Sequence, residues 1–418
     1  MNYLLFAVYL LALCWLLLRV PFVKRSGIDN RMLTGLFLVK IAAGIAIGWL
    51  SLHFYGPAND YWDVNREAWN EYQLMITDPA KYLSNIFTSG YADGYSGLFN
   101  SYNSYWNDLR GNIIIKLVSV FNIFSRGDYY INSLFFNFFV FFGHVLLYRL
   151  FIRLYPGNKI PVIIGCFLLP SMLYFSSGIH KDGLVFLILS VFIYILFQYV
   201  QQNRFTVKRL LLAGISLLLL FSIRNYIILA LVPAVTAWII TVRTKAPALK
   251  TFGVVYLFTG ILFFTVGLLF KKINPPEVVA QKQAEYLRLQ RSDTQVDLHQ
   301  LQPNFSSFAA NAPQALNHVL LRPYLWELPS RSLLPLNIEL AAYQVLLLLF
   351  LFFRRKEPGF SYRPFILFTL FFTLTLFLLI GYILPNLGSI IRYRSLYLPL
   401  IITPLLCSIN WSRIKVMN

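Results

Sequence analysis

Two carboxylates begin the polar segment that follows the second apolar run of the chain. Asp60 and Asp63 lie in the sequence NDYWDVNRE. A carboxylate can take the proton of an acceptor hydroxyl as a general base, and two carboxylates can also hold a divalent cation. If this segment is helical, Asp60, Asp63 and Glu67 share one face, because positions three and four apart are neighbours. We expect Asp60 to be the catalytic base, with Asp63 as the second choice. The structural alternative is that both are acids in the first turn of a helix, where the helix dipole stabilises negative charge.

Aromatic side chains are interleaved with these acids. Tyr61 and Trp62 lie between the two carboxylates in the sequence, and Trp69 follows them. Flat rings stack on the C–H faces of sugars, while carboxylates accept hydrogen bonds from sugar hydroxyls. The pattern predicts a sugar-binding surface. The structural alternative is an aromatic belt at a membrane interface.

The elements that must position these residues are membrane helices. Of the 418 residues, 58% are hydrophobic and only 13% are charged, whereas a soluble domain has about 25% charged residues. Apolar runs of about 17–22 residues indicate an all-α, polytopic transmembrane bundle that forms one integral membrane domain over residues 1–418. We expect about eleven spans, with ten to twelve possible: 2–22, 32–54, 130–152, 160–177, 183–200, 210–223, 225–241, 251–270, 337–353, 364–384 and 395–410. Two longer polar segments, 55–129 and 271–336, are expected to be loops that contain short helices.

The distribution of charge predicts the orientation. One set of loops contains 18 basic residues and two acids, which accounts for +16 of the net charge of +19. Cytoplasmic loops collect Lys and Arg, so this side is expected to be cytoplasmic. The N-terminus and both long polar segments then lie outside the cytoplasmic membrane, and the C-terminus lies inside. The positive charge orients the chain in the bilayer, so nucleic acid is not an expected partner.

Five basic residues fall on the predicted outer side, close to the ends of apolar segments. They are Lys181, Arg224, Arg322, Arg392 and Arg394. The positive-inside rule does not account for them. The phosphate of a lipid-linked sugar lies at this depth, and Arg offers a planar fork and Lys a point charge for its oxygens. The alternative is that each side chain extends to lipid headgroups or pairs with a loop acid.

The sequence SSGIHKDG separates two predicted spans. His180, Lys181 and Asp182 are expected on a tight outer turn, with Lys181 as a phosphate ligand and His180 as a second donor. The alternative is a glycine-bounded hairpin in which Asp182 caps the following helix. The chain has no HExxH, Walker or GxSxG motif, so zinc proteolysis, nucleotide hydrolysis and the usual serine hydrolases have no support.

Three segments carry a family resemblance: LLPSMLYFSSGIHKDGLVFLILSVFIY (168–194), LNHVLLRPYLWELPS (316–330) and LPNLGSIIRYRSLYLPLI (384–401). With the acidic first loop, they resemble polytopic glycosyltransferases of the GT-C type and bacterial membrane proteins of surface-polysaccharide synthesis. The resemblance implies transfer of a sugar from a polyprenyl-phosphate donor, with a catalytic Asp in the first outer loop, which Asp60 fits best. In GT-C enzymes the long loop follows the first span, whereas here it follows the second. The two patterns agree if the first span of this chain is an N-terminal addition to the GT-C core. The chain also lacks a large soluble C-terminal domain.

The leading hypothesis is therefore an enzyme of the bacterial inner membrane. Asp60, with Asp63, would deprotonate the acceptor, and the outer basic residues would bind the leaving phosphate. Expected partners are a polyprenyl-phosphate-linked sugar, a glycan or lipid acceptor and the lipid bilayer. We expect no cofactor and no metal site, although a divalent cation is compatible with the two carboxylates.

Two other functions fit the sequence. A polysaccharide polymerase or ligase would use outward-facing arginines and histidines of the second polar segment and would not need Asp60: Arg288, Arg291, His299, His318 and Arg322. A transporter or flippase for a lipid-linked glycan would need polar residues within the spans. Lys40 and Arg149 are charged residues within apolar runs, and both are expected near the inner side.

Overall fold

A computed structural model of the chain describes residues 2–88, 91, 94–95, 104–202, 206–270, 274–289, 294–324, 326–327, 334–355 and 362–416. Within these ranges the chain is helical, without strands, and this confirms the all-α fold class. The helices up to the middle of the chain are α1 (Tyr3–Arg19), α2 (Pro21–Lys24), α3 (Asn30–Tyr55), α4 (Asp60–Thr77), α5 (Pro79–Ser84), α6 (Tyr105–Ser125), α7 (Tyr129–Leu154), α8 (Lys159–Phe167), α9 (Pro170–Phe175) and α10 (Lys181–Gln202). The following helices are α11 (Val207–Arg224), α12 (Tyr226–Thr244), α13 (Ala248–Leu269), α14 (Pro275–Arg288), α15 (Phe305–Leu320), α16 (Leu334–Phe353), α17 (Arg363–Ile383), α18 (Leu387–Ser395), α19 (Leu398–Ser408) and α20 (Trp411–Val416).

Seven described helices are long and apolar enough to cross a membrane, as expected of a multi-pass membrane protein: α3, α7, α10, α12, α13, α16 and α17. The consecutive helices α18 and α19 meet at a bend of 67° and give an eighth if they form one span. The eleven-span topology stays a prediction. Of its other members, α1 has 17 residues, and α11 carries three basic residues. The span expected at 160–177 consists of α8 and α9, because Pro170 starts a new helix and cannot continue the preceding one.

The chain divides into two compact units that are both discontinuous in sequence. Unit 1 contains Met1–Leu150 and Leu173–Ile228, and unit 2 contains Phe151–Met172 and Leu229–Asn418. Each unit thus includes one of the two long polar segments. The single domain over residues 1–418 stays a prediction.

In unit 1, α3 packs against α7 through aromatic side chains. Phe37 is fully buried, and its ring meets Phe138 and Phe141 edge-on, with centroids 6.1 and 5.3 Å away. Such aromatic pairs contribute about 0.5–1.5 kcal/mol beyond their burial. Further along α3, the ring of Tyr129 occupies the space where Gly48 has no side chain. The end of α3 is thereby held close to the start of α7.

Helix α4 begins where the sequence predicts it. Gly56 ends α3 with a φ of +73°, a conformation that favours glycine. The side chain of Asn59 then accepts hydrogen bonds from the backbone N–H groups of Tyr61 (3.1 Å) and Trp62 (3.3 Å), which makes it the N-cap of α4. Asp60 consequently lies in the first helical turn, as its position in the sequence indicates.

Buried amide side chains fix the middle of α4. Asn132 of α7 donates from Nδ2 to Oδ1 of Asn65 (2.8 Å) and to Oδ1 of Asn122 in α6 (2.7 Å). Asn65 in turn donates to the carbonyl of Gly127 (3.0 Å). Because these groups are buried, each lost hydrogen bond would leave a polar atom without water. The network therefore holds α4, α6 and α7 in one arrangement.

One hydrophobic cluster of unit 2 forms between α14, α15 and α17. It consists of Val279, Leu301, Phe308, Ala315, Leu379 and Tyr382. Gln283 ties the polar segment to this core, donating to the carbonyl of Tyr382 (2.7 Å) and accepting from the N–H of Leu301 (2.7 Å). The short helices expected in this polar segment are present as α14, which starts at Pro275, and α15, which ends before Pro323. They rest on α17, which is one of the candidate spans.

Candidate functional site

A buried ion pair lies at the junction of α10 and α11 in unit 1. The Asp182 side chain is 0% exposed, and Arg224 is only 4% exposed. Nη2 of Arg224 donates to Oδ1 of Asp182, and Nη1 donates to the hydroxyl of Tyr226 (2.8 Å). Each charge stabilises the other, because a buried charge loses its hydration and needs a partner of opposite charge to offset that loss. The predicted phosphate ligand Arg224 is thus an internal partner of Asp182.

His180 connects this pair to an exposed carboxylate. Its Nδ1 lies 3.2 Å from Oδ2 of Asp182, and its Nε2 lies 3.9 Å from Oδ2 of Asp60. The ring of Tyr61 stands at 71° to the imidazole, with centroids 5.9 Å apart. The Asp60 side chain is 64% exposed, whereas His180 is buried. Asp60, His180, Asp182 and Arg224 therefore form one chain of charged and titratable groups from the surface into unit 1, hereafter the aspartate–histidine chain.

The geometry of this chain suits proton transfer. If Nδ1 of His180 carries its proton toward Asp182, Nε2 is left as an acceptor on the side of Asp60. The separation of 3.9 Å between Nε2 and the Asp60 carboxylate is too long for a direct hydrogen bond. A hydroxyl placed beside them would have two proton acceptors within reach. Buried Asp182 would keep the ring in place during such a transfer.

The other predicted residues of the first polar segment have different surroundings. Asp63 forms an exposed ion pair with Arg66 at 2.5 Å, one helical turn away. Trp62 stacks on Tyr129, with centroids 4.4 Å apart, and its indole N–H donates to a backbone carbonyl of α3. One face of this ring is therefore occupied inside unit 1.

Trp69 and Lys181 complete the predicted residues of unit 1. The Trp69 ring lies against Gly127, where φ is +85°, and has Tyr72 at a centroid distance of 5.3 Å. Lys181 is the first residue of α10, directly after His180, and is half-buried. It is the predicted cation nearest in sequence to the aspartate–histidine chain.

A buried lysine inside α3 is a further feature of unit 1. Nζ of Lys40 donates to Oγ of Ser176 at 2.6 Å, and both side chains are buried. Asn137 donates to the carbonyl of the adjacent Ser177 (2.8 Å). The sequence signal was a single Lys within an apolar run, a position that is costly in a membrane. Its hydroxyl partner, 136 residues away, could not be read from spacing.

Unit 2 contains a second cluster around Arg322. Its guanidinium donates two hydrogen bonds to Glu327, from Nε to Oε2 (3.0 Å) and from Nη2 to Oε1 (2.5 Å). The backbone N–H of Tyr324 also donates to Glu327 (3.2 Å). These bonds lower the pKa of Glu327 and raise the pKa of Arg322. The pair is only partly buried, and solvent weakens it relative to the pair in unit 1.

His318 is the neutral member of this second cluster. Nη1 of Arg322 lies 3.2 Å from Nε2 of His318. A guanidinium can only donate, so Nε2 must accept and the ring proton belongs on Nδ1. Burial, and then the charge of Arg322, lower the pKa of His318 to about 4. Its Nδ1 is buried and has no hydrogen-bond partner among the residues that the structure describes.

Arg394 of α18 supports the Arg322 segment from within. Its Nη1 donates to the carbonyl of Val319 (2.5 Å) and to the carbonyl of Arg322 (2.9 Å). Arg394 is buried, whereas Arg392 on the same helix is half-buried. Arg394, predicted as a phosphate ligand, is therefore buried and fixes the backbone at the end of α15.

Two residues of unit 2 were not singled out from the sequence. Glu339 in α16 accepts hydrogen bonds from the N–H (2.9 Å) and hydroxyl (3.0 Å) of Ser171 and from the hydroxyl of Tyr343. Trp326 is 80% exposed and stacks on Tyr324, with centroids 4.8 Å apart at 15°. An acid inside an apolar run and a Trp beside the RP pair were the available signals. Neither signal specifies a partner.

The structure thus gathers the predicted residues into two groups. Asp60, Tyr61, His180 and Arg224 come together in unit 1, and Arg322 and Arg394 come together in unit 2 with His318. Of the polymerase candidates, Arg291 lies outside the described residues. Among the residues described, no group of three His, Cys, Asp or Glu side chains is arranged to hold a metal ion.

Comparison with known proteins gives no match to any protein-family model, curated protein or solved structure.

Proposed function

We propose that this protein is a membrane glycosyltransferase of surface-polysaccharide or glycoconjugate synthesis. It moves a sugar from a polyprenyl-phosphate donor to an acceptor on the outer face of the cytoplasmic membrane. One observation carries the proposal: His180 lies between exposed Asp60 and the buried Asp182–Arg224 pair. The resemblance to GT-C glycosyltransferases and the abundance of basic residues in one set of loops support the chemistry and the orientation.

In the proposed reaction, the Asp60 carboxylate accepts the proton of an acceptor hydroxyl. The acceptor oxygen then bonds to the anomeric carbon of the donor sugar, and the bond between that carbon and the phosphate oxygen breaks. Polyprenyl phosphate leaves with the electron pair of the broken bond. His180, oriented by Asp182, stabilises the protonated Asp60 and relays its proton. Half-buried Lys181 is the cation that we assign to the leaving phosphate.

The test is a transfer assay with purified protein in lipid nanodiscs. Synthetic polyprenyl-phosphate glucose, mannose and arabinose serve as donors, and an envelope glycolipid extract serves as acceptor. Mass spectrometry measures the release of polyprenyl phosphate. Asp60→Asn keeps the size of the side chain but removes its basicity, and we expect the rate to fall by about 10²–10⁴-fold.

Glu67→Gln is the matched control for this substitution. Glu67 is an exposed acid on the same face of α4, two helical turns from Asp60, and has no assigned role in the reaction. We expect it to transfer at a rate within about twofold of wild type, as surface substitutions generally have small effects. An Asp60→Asn protein that transfers as fast as Glu67→Gln would overturn the proposed base.

The second candidate function is polysaccharide polymerisation or ligation at the cluster in unit 2. It is favoured by the contact between Arg322 and His318 beside Glu327, with the exposed ring of Trp326 close by in sequence. Arg322→Lys keeps the positive charge but loses the bidentate hydrogen bonding to Glu327. If this substitution shortens the polymer made in cells while Asp60→Asn leaves its length unchanged, the second candidate replaces the first.

A further inference from the structure

A cavity of about 110 Å³ lies in unit 2 where α7, α16 and α19 end. Its polar lining includes Tyr155, Asn158, Arg354, Arg355 and Ser408. A single water needs only about 10–15 Å³ of such space, so the cavity is large enough for a polyatomic group. No residue assigned to sugar transfer lines it.

Backbone hydrogen bonds fix one wall of this cavity. The N–H of Arg355 donates to the carbonyl of Ser408 (3.0 Å), and the N–H of Asn410 donates to the carbonyl of Phe353 (2.8 Å). Arg354 and Ile409 are paired between them in an antiparallel bridge. The backbone of the two arginines is therefore held by hydrogen bonds and is not an unconstrained loop. A fixed backbone limits the entropy lost when a ligand binds to the arginine side chains.

The turn between α7 and α8 also lines the cavity. Gly157 has a φ of +86°, which favours glycine, and the N–H of Asn158 donates to the carbonyl of Tyr155 (3.1 Å). Asn158 precedes α8, a helix of nine residues, but its side chain makes no capping hydrogen bond. The first N–H groups of α8 consequently have no side-chain cap, and such a helix start favours negative charge.

The charge of the cavity is positive. Arg354 and Arg355 both line it, and neither forms an ion pair with any described residue. Cations at the end of α16 also offset the helix dipole, but that role requires neither two arginines nor a cavity. Two arginines that line one open space can supply donors for the tetrahedral oxygens of a phosphate group.

The surroundings of the cavity indicate how that phosphate is carried. Helices α7 and α16 are candidate membrane spans that end at this cavity. Leu351 and Phe352, in the last turn of α16, are strongly exposed apolar side chains, as is Ile160 at the start of α8. Apolar side chains exposed near the end of a span face acyl chains, while the arginines reach headgroup level. A lipid could therefore place its phosphate in the cavity and its chains against these side chains.

We propose that this cavity binds the phosphate group of an anionic phospholipid, with Arg354 and Arg355 as the main donors. The charge distribution predicts that the lipid comes from the cytoplasmic leaflet, where basic pockets between spans bind anionic headgroups. This site goes beyond the proposed transferase function and does not depend on it. The bound lipid would join the ends of α7, α16 and α19 within unit 2.

Native mass spectrometry of the full-length protein, released from detergent, tests this proposal. The probes are phosphatidylglycerol, phosphatidylcholine and inorganic phosphate, each titrated against delipidated protein. We expect one phosphatidylglycerol to bind at least tenfold more tightly than phosphatidylcholine. In Arg354→Gln/Arg355→Gln we expect that bound lipid to be weakened at least tenfold. Equal affinity for the two lipids would overturn the proposal, because phosphatidylcholine carries a phosphate but no net charge.

The matched control is Lys250→Gln/Arg363→Gln. Both side chains are exposed, lie in unit 2 and do not line the cavity, and the substitution removes the same two charges. We expect it to change phosphatidylglycerol binding less than twofold. Equal losses in the two double variants would show a general charge effect and would overturn the site.

Two further arms keep the result unambiguous. If inorganic phosphate binds as tightly as phosphatidylglycerol and displaces it, the ligand is a soluble phosphate and the lipid assignment is wrong.

If Arg354→Gln/Arg355→Gln does not fold, Arg354→Lys/Arg355→Lys replaces it. That variant retains charge but not the planar fork, and we expect it to bind phosphatidylglycerol at least threefold more weakly than wild type. Unchanged binding in the lysine variant would then overturn the assignment of the arginines.

Discussion

The two units each contain a histidine, an acid and an arginine in contact, but in a different order. In unit 1, His180 has carboxylates near both ring nitrogens, and Arg224 pairs with the inner carboxylate, Asp182. In unit 2, Arg322 lies between the acid and the histidine, contacting Glu327 on one side and His318 on the other. The first order gives a ring that can exchange a proton with its neighbours. The second order holds a neutral ring as an acceptor, which is the physical reason for assigning proton transfer to unit 1.

The largest effect on stability is expected when the buried ion pair of unit 1 is broken. Arg224→Met removes the arginine partner of Asp182, whose carboxylate is buried. We expect the free energy of unfolding in detergent to fall by about 3–5 kcal/mol. The comparison is Arg322→Met, which breaks the partly exposed pair of unit 2, and for which we expect a loss of about 1 kcal/mol or less. Equal losses would mean that the two pairs do not differ in burial as described.

A smaller effect of opposite sign is expected inside α3. Lys40 is buried against the Ser176 hydroxyl, and no carboxylate forms an ion pair with it among the described residues. Lys40→Met removes an ionisable side chain of a type that costs about 2.5–3.5 kcal/mol within a span on insertion scales. We expect the free energy of unfolding to rise by about 1–2 kcal/mol. A decrease, measured by the same denaturation, would show that Lys40 stabilises unit 1.

The pH dependence of stability distinguishes the histidine of unit 2. Burial and Arg322 lower the pKa of His318 to about 4 from an unfolded value of about 6.5. Between these values the unfolded chain binds a proton that the folded chain does not. The contribution of His318 therefore destabilises the fold as pH falls from about 6.5 to about 4.

His318→Gln should remove this part of the pH dependence. The remaining groups around the ring are Arg322, Glu327 and His299, and they are unchanged in the variant. We expect the slope of unfolding free energy against pH to decrease by at most about one proton between pH 4.5 and 6. An identical slope in both proteins would contradict the neutral, buried His318.

The smallest expected effect on stability is at the exposed ring of unit 2. Trp326→Ala removes a side chain that is 80% exposed and contacts Tyr324 on one face. We expect a change within about 0.5 kcal/mol, as for other surface positions. Trp62→Ala in unit 1, where the ring stacks on Tyr129 and donates to Gly48, should cost several times more. Similar costs would mean that Trp62 is as weakly held as Trp326.

Local signals in the sequence were sufficient for the helices. The acids at 60 and 63 were considered as first-turn residues of a helix, and α4 starts at Asp60; α14 starts at Pro275, and α15 ends before Pro323. Apolar runs predict most of the long helices because a membrane span requires about 20 such residues. The break between α8 and α9 was missed because a run interrupted by proline still averages as apolar.

Pairings between distant residues were not accessible from the sequence. Asp60 and His180 were both candidates, but their distance depends on how α3, α4 and α10 pack. Asp182 was interpreted as a helix cap, whereas its carboxylate pairs with Arg224, 42 residues away. Arg394 was expected as a phosphate ligand, and in the structure it donates to backbone carbonyls at the end of α15. Charge type and spacing identify candidates, and only tertiary packing determines which of them are buried or paired.

A double-mutant cycle in the transfer assay tests the central claim most directly. The rates of wild type, Asp60→Asn, His180→Gln and the double variant are measured with the same polyprenyl-phosphate donors. If the two side chains act as one unit, their effects are not additive. We predict that each single variant loses about 10²-fold or more, and that the double variant is no more than about threefold slower than Asp60→Asn. Losses that multiply in the double variant, or a single variant with the wild-type rate, would contradict the account.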